Sequence, residues 1–140
     1  MKALLFHCKK WAVKFDSLAN RPAGIKPESV NGKEEQKCED CIVAFVTVEK
    51  GDDKEAASRG LADEIKKMCK EVGRKDAVVI PFAHLSNNIA ESKFSLEILE
   101  EVVTLLKKSK LNVIRAHFGS NKSLLMDVPG HVGNARFREF

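Results

Sequence analysis

Apolar runs of strand length alternate along this chain with stretches in which apolar residues recur every three or four positions. Ala3–Cys8 reads as a buried first strand, and Trp11–Phe15 as a short second strand after a turn at Lys9-Lys10. Residues 17–40 are polar and hold Pro22, Gly24, Pro27 and Gly32, which predicts a long surface loop. Loops of that length are usually functional or mobile. Cys41–Val48 (CIVAFVTV) is β-branched and aromatic, the pattern of a strand buried on both faces or nearly so. Asp52-Asp-Lys-Glu55 then puts an Asp at a helix cap with a Glu three residues on. Ala57, Leu61, Ile65, Met68 and Val72 follow on one helical stripe, and Gly73 ends it as a C-terminal cap.

The second half repeats the alternation. Ala77–Phe82 (AVVIPF) is a strand whose end Pro81 makes an irregular or edge position. Ala83–Glu91 is a loop. Phe94, Ile98, Val102, Leu105 and Leu106 mark a second amphipathic helix, capped by Ser92 or Ser95. Asn112–Phe118 is a strand, Gly119-Ser-Asn121 a tight turn, and Lys122–Asp127 the returning strand of that hairpin. The tail 132–140 shows no clear element. The order β-β-β-α-β-α-β-β predicts an α/β (α+β) fold: one layered domain over residues 1–140, with a mixed sheet and two amphipathic helices.

Composition narrows the classes. The chain has 140 residues, which fits one domain, and Lys+Arg 24 against Asp+Glu 20 gives a net charge of +4. That is compatible with an RNA partner, although the two signs are well mixed. The basic clusters at Lys66–Lys75 and Lys107–Lys110 fall on predicted helices and read as solvated helix faces. No apolar run is long enough to span a membrane, and MKALLFHC is too short for a secretory signal, so an intracellular, cytoplasmic protein is expected. Cys38-Glu-Asp-Cys41 is a single C-x-x-C lacking the second pair that a structural zinc site needs. It also precedes a strand, where a thioredoxin-like motif follows one. Ordinary thiols, an opportunistic disulfide or a metal site all stay open for it; no metal or cofactor is expected.

The chain carries no P-loop, G-x-G-x-x-G, H-E-x-x-H or G-x-S-x-G. Candidate chemistry therefore lies with polar residues at strand ends. Three stretches qualify: Val46–Lys50, Pro81–Ser86, and Phe118–Lys122 with Gly130-His131 beyond it. A lysine beside a scissile ester stabilises the developing oxyanion or holds the attacking water, and a histidine orients a hydroxyl or shuttles a proton. His84 and Lys122 are the pair to watch. A histidine at a strand end is more often structural than catalytic, and spacing does not decide between the two.

The same stretches carry a family resemblance. Val43–Lys50 (VAFVTVEK), Val79–Ser86 (VIPFAHLS) and Ala116–Lys122 (AHFGSNK) resemble, in order, three motifs of the N-terminal editing domain of archaeal-type threonyl-tRNA synthetases. The second motif has the form YPFAHLS there and the third PFGxYK; Pro129-Gly-His131 matches the glycine-histidine that follows. The resemblance spans essentially the whole chain. It implies a fold similar to D-aminoacyl-tRNA deacylases, a homodimer, and hydrolysis of seryl-tRNA made in error on threonine tRNA. It implies Lys122 as the principal catalytic side chain, supported by His84. Main chain around Val48, Ala83 and Phe118, with Asn121 and His131 nearby, would hold the seryl group and terminal adenosine, and the ribose 2′-hydroxyl would help activate the water. A synthetase catalytic domain or subunit is the implied partner, whether in the same chain or in trans.

Three departures bear on the site. Asn121 stands where the family commonly has Tyr, Val132 where it has Pro, and Ala135 where it has Glu. The missing carboxylate and phenol favour one rival, a non-catalytic tRNA-binding appendage, and the implied fold alone permits a second, a D-aminoacyl-tRNA deacylase. A metal or redox protein built on Cys38 and Cys41 is the third.

Overall fold

The computed structural model describes residues 1–20 and 24–140. Pro22 of the polar loop lies outside the described residues. The elements run β1 (Lys2–Leu18), β2 (Glu35–Thr47), α1 (Lys54–Val72), β3 (Asp76–Pro81), α2 (Ser92–Lys108), β4 (Asn112–Arg115), β5 (Ser120–Asp127) and β6 (Ala135–Glu139). Among the described residues the sheet has the order β4-β3-β2-β1-β5, and β6 pairs with the first part of β1. β2, β3 and β4 are parallel neighbours, while β1 is antiparallel to β2, β5 and β6. The mixed sheet and two helices agree with the expected fold class.

The helices lie against one face of the sheet. Leu61, Ile65 and Met68 of α1 and Ile98, Val102 and Leu106 of α2 are fully buried against Ala3, Leu5, Ile42, Ala44 and Val79. The α1 cap is Asp53, whose side chain accepts from Ala56 N–H at 2.8 Å. Gly73 adopts the left-handed conformation (φ 67°) that closes the helix, and its N–H reaches the Cys69 and Lys70 carbonyls. Neither serine caps α2: Glu91 holds that position and makes no side-chain cap bond. Among the described residues, no helix is long and apolar enough to cross a membrane.

Three expectations about the strands are corrected. The first two strands are one, because the antiparallel pairing with β2 keeps a single register from Lys2 to Lys14, skipping only Lys9 opposite Asp40. The signal read as a turn is a change of face. Leu4, Phe6 and Cys8 share a cluster with Trp11 and Val13, so the alternation slips by one residue at Lys9-Lys10, both exposed. Opposite, Asp40 takes a positive φ of 51° and β2 slips likewise, from Cys38 to Cys41. The second correction is that Asn112–Asp127 is no hairpin: β4 pairs with β3 and β5 with β1, on opposite sides of the sheet. The third is that the tail forms β6, in register with Lys2–Phe6.

Past the change of face, the ribbon of β1, β2 and β5 folds back over the helix-free side. Gln36, near the start of β2, donates to the Arg115 carbonyl at the end of β4 at 3.0 Å, and Phe15 meets the His117 ring edge-on at 6.0 Å. Trp11, Val13 and Met126 of the ribbon thereby pack onto Val43, Phe45, Val78 and Ile80 in a second apolar cluster.

Candidate active site

Between the folded ribbon and the carboxyl ends of β2 and β3 lies a cleft of about 1070 Å³. Phe45, Ile80 and Phe82 line it from the sheet, Val13, Lys122 and Leu124 from the ribbon, and Ser92, Lys93 and Ser95 from the start of α2. Ala83 and His84 add to the lining from the loop after β3, Phe118 and Gly119 from the loop after β4, and Asn121 from β5. Parallel strands that end side by side place their following loops around a common opening, which is where open α/β sheets bind ligands.

Lys122 reaches the cleft because it shares a strand face with Leu124 and Met126. Its ammonium donates to the Ser120 carbonyl at 3.0 Å. Burial weakens its hold on the proton, Glu28 resists that change, and Arg115 adds to it; the net shift is downward from the ordinary lysine value. An amine held in such a partly buried place is poorly hydrated, and in its ammonium form it is suited to meet a developing oxyanion.

His84 is exposed on the loop after β3, with its ring edge-on to Phe82 at 5.1 Å and Phe82 edge-on to Phe45 at 5.3 Å. The loop is held from both sides by a buried hydroxyl. Thr47 Oγ donates to the Phe82 carbonyl and accepts from Leu85 N–H at 3.3 Å. Ser86 Oγ donates to Glu49, and Asn88 exchanges bonds with Lys50. Thr47 escaped the sequence reading, because inside an apolar strand a threonine looks like another β-branched core residue.

The remaining expected residues divide. Val48, Ala83, Phe118 and Asn121 line the cleft together with Lys122 and His84. The Val48 carbonyl is already occupied by Ala90 N–H at 3.0 Å and the Phe118 N–H by Glu28 at 2.7 Å. The Asn121 side-chain amide donates to Ser17 Oγ at 3.2 Å. His131 does not line the cleft. Its Nε2 lies 2.8 Å from Nδ1 of His7, whose Nε2 is 3.2 Å from Asp40, itself paired with Arg74 at 2.9 Å.

The cysteines are free thiols. Cys41 is held protonated by its hydrogen bond with Cys38 and by burial, and burial next to Asp127 pushes Cys8 up to about 12. No group of three or more His, Cys, Asp or Glu among the described residues is placed to hold a metal ion.

Comparison with known proteins places this cleft in context. The family profile described as the archaea-specific editing domain of threonyl-tRNA synthetase matches residues 1–140. The threonine–tRNA ligase of Methanocaldococcus jannaschii is 29% identical over 133 residues, 94% of this chain and 20% of that protein. The threonine–tRNA ligase of Nitrosopumilus maritimus is 33% identical over 134 residues, again 94% and 20%. The threonine–tRNA ligase editing subunit of Saccharolobus solfataricus is 37% identical over 112 residues, 76% of this chain and 28% of that subunit. The chain thus spans about a fifth of the length of the ligases it matches. With the motif-bearing strand ends gathered on one cleft and the profile covering the whole sequence, the chain belongs to the family of archaea-specific editing domains of threonyl-tRNA synthetase.

Proposed function

We propose that the cleft hydrolyses the ester of L-serine wrongly attached to threonine tRNA. The observation that carries this reading is that Lys122 and His84, from separate ends of the chain's fold, open onto one cleft large enough for a terminal adenosine and its aminoacyl group. In this reading Lys122 faces the ester carbonyl and stabilises the tetrahedral oxyanion. His84 supports it by orienting a hydroxyl or a water. The tRNA ribose 2′-hydroxyl helps activate the attacking water, so no protein triad is required. The need is physical: serine lacks one methyl of threonine, and a missing methyl yields only about 10- to 200-fold discrimination in a binding site. A second, hydrolytic site raises the fidelity beyond that limit.

The test is deacylation of seryl-tRNA(Thr). Lys122→Ala is expected to slow it by about 100- to 1000-fold, the range for losing one oxyanion-stabilising group, while tRNA binding persists. Because the amine must be charged to act, activity is expected to fall with rising pH at lower pH than an ordinary lysine would impose. Equal rates for parent and Lys122→Ala would leave a tRNA-binding appendage as the better reading, and preference for the D-seryl ester would make the chain a D-aminoacyl-tRNA deacylase. A homodimer acting in the cytoplasm beside a synthetase catalytic domain or subunit completes the proposal. Sedimentation at twice the chain mass is its check.

A further inference from the structure

Glu28 lies in the polar stretch between β1 and β2, outside every motif, yet its side chain is only 21% exposed. One carboxylate oxygen accepts from Phe118 N–H at 2.7 Å and from Arg115 Nη1 at 3.3 Å. The other accepts from Arg115 Nη2 and from Lys33 Nζ at 2.9 Å. The main-chain carbonyl of Glu28 accepts from His117 Nε2 at 2.9 Å. That nitrogen must therefore carry a proton, and the other ring nitrogen, Nδ1, shares a hydrogen bond with Ser120 Oγ at 2.8 Å. Ser120 in turn offers its carbonyl to Lys122 Nζ at 3.0 Å. Every residue from His117 to Ser120 is thus tied down, including Gly119, whose φ of 83° makes the turn and whose carbonyl is taken by Ala19 N–H at 3.0 Å.

We propose that Glu28 is the positioning residue of the cleft: by clamping Phe118 N–H and Arg115, and through its carbonyl His117, it fixes the turn from which Lys122 enters. The inference rests on the reading of Lys122 as the reacting cation. An ion pair that served cohesion alone would not need the backbone N–H of the turn. Arg115 is moreover already paired with Glu100 at 2.6 Å. Glu28 also fills an electrostatic place beside the lysine. It favours the ammonium form of Lys122, whereas burial and Arg115 oppose it. The charged and titratable groups around this assembly are Arg115, Lys33, His117 and Glu100, besides Glu28 and Lys122 themselves.

Lysines labelled with ¹³C at Cε report the Lys122 titration directly by NMR, with the Lys122 signal assigned by its loss in Lys122→Arg. In Glu28→Gln the amide oxygen still accepts from Phe118 N–H but the charge is gone, so the Lys122 midpoint moves to lower pH. In Arg115→Gln it moves to higher pH; general loosening of the fold would not give opposite shifts. For seryl-tRNA deacylation, Glu28→Ala lowers kcat by about 10- to 100-fold with KM little changed, the scale of a reacting group displaced by about 1 Å. Glu28→Gln recovers part of that loss. A Lys122 midpoint identical in parent and Glu28→Gln, or an unchanged kcat in Glu28→Ala, overturns the inference. If Glu28→Ala fails to fold, the Gln variant and its titration decide alone. If the parent does not deacylate at all, the hydrolytic reading falls, and the NMR arm still tells whether Glu28 governs Lys122.

Discussion

The carboxyl of Glu28 feels two opposed pressures. Burial raises its affinity for a proton, while Arg115, the Phe118 N–H and Lys33 lower it, and these win, taking it from the ordinary 4.5 to about 2. Between those two pH values the unfolded chain binds a proton that the folded chain refuses, so stability rises with pH there. The contribution is fully present above pH 4.5 and is lost as pH falls toward about 2. Other carboxylates share this behaviour: Glu49 through Ser86, Asp40 through Arg74 and Glu71 through Arg136. The Glu28 share is isolated by difference. Urea unfolding at several pH values from 6 to 2 is expected to give a flatter stability profile for Glu28→Gln than for the parent below pH 4.5. Parallel profiles would mean that the Arg115 pair contributes nothing that depends on the Glu28 charge. Nothing local in the sequence marks Glu28. It sits in Lys26-Pro-Glu-Ser29, an ordinary loop composition, and apart from Lys33 its partners Arg115, His117 and Phe118 stand 87 to 90 positions away. Lys122 and His84, by contrast, each fall within a recognisable motif beside a strand end, so the sequence singles them out as candidates.

The start of α1 shows where local reading succeeds and where it slips. Two adjacent aspartates offer themselves as caps, and the spacing to Glu55 favours the first. The structure uses the second, because Asp52 is drawn to Glu49 N–H at 2.7 Å and to the Met1 ammonium. Replacing Asp53 by Ala should therefore cost about 1 kcal/mol of unfolding free energy and speed amide exchange at Ala56, whose N–H it holds. Asp52→Ala leaves that amide protected; faster exchange at Ala56 in Asp52→Ala alone would reverse the assignment. The helices and the buried parallel strands were readable since a 3.6-residue stripe or a continuous apolar run is a local property. The continuity of β1 was not. Two consecutive exposed lysines break its alternation, and only pairing with β2 carries the strand through. The tail strand is supported by Lys2–Phe6, more than a hundred residues away, and its Arg136 by Glu64 and Glu71 on α1. The late hairpin failed for the converse reason: Gly119-Ser-Asn121 is a real turn, but its flanks find partners in β3 and β1 rather than in each other.

At the scale of the molecule, β2 joins two apolar layers. Its even positions Ile42, Ala44 and Val46 pack under the helices, and its odd positions Cys41, Val43 and Phe45 under the folded ribbon. The catalytic arrangement proposed above needs both layers, since His84 hangs from the sheet and Lys122 from the ribbon. If the ribbon opened alone, Lys122 would leave the cleft while the helices stayed folded. Shared burial argues against that: exposing the odd face of β2 removes support from Val78 and Ile80 of β3, whose neighbours Ala77 and Val79 face the helices. The chain supplies two separate reporters for the question. Its single tryptophan, Trp11, is 1% exposed in the ribbon layer, and far-UV dichroism follows the helices of the other. Denaturant unfolding is expected to give coincident midpoints by the two signals, and Val43→Ala to lower both midpoints together, because a truncated buried valine leaves a void that both layers share. Tryptophan fluorescence changing at lower denaturant than the dichroism would show instead that the ribbon detaches first, and the geometry around Lys122 would then depend on what holds the ribbon down in the working protein.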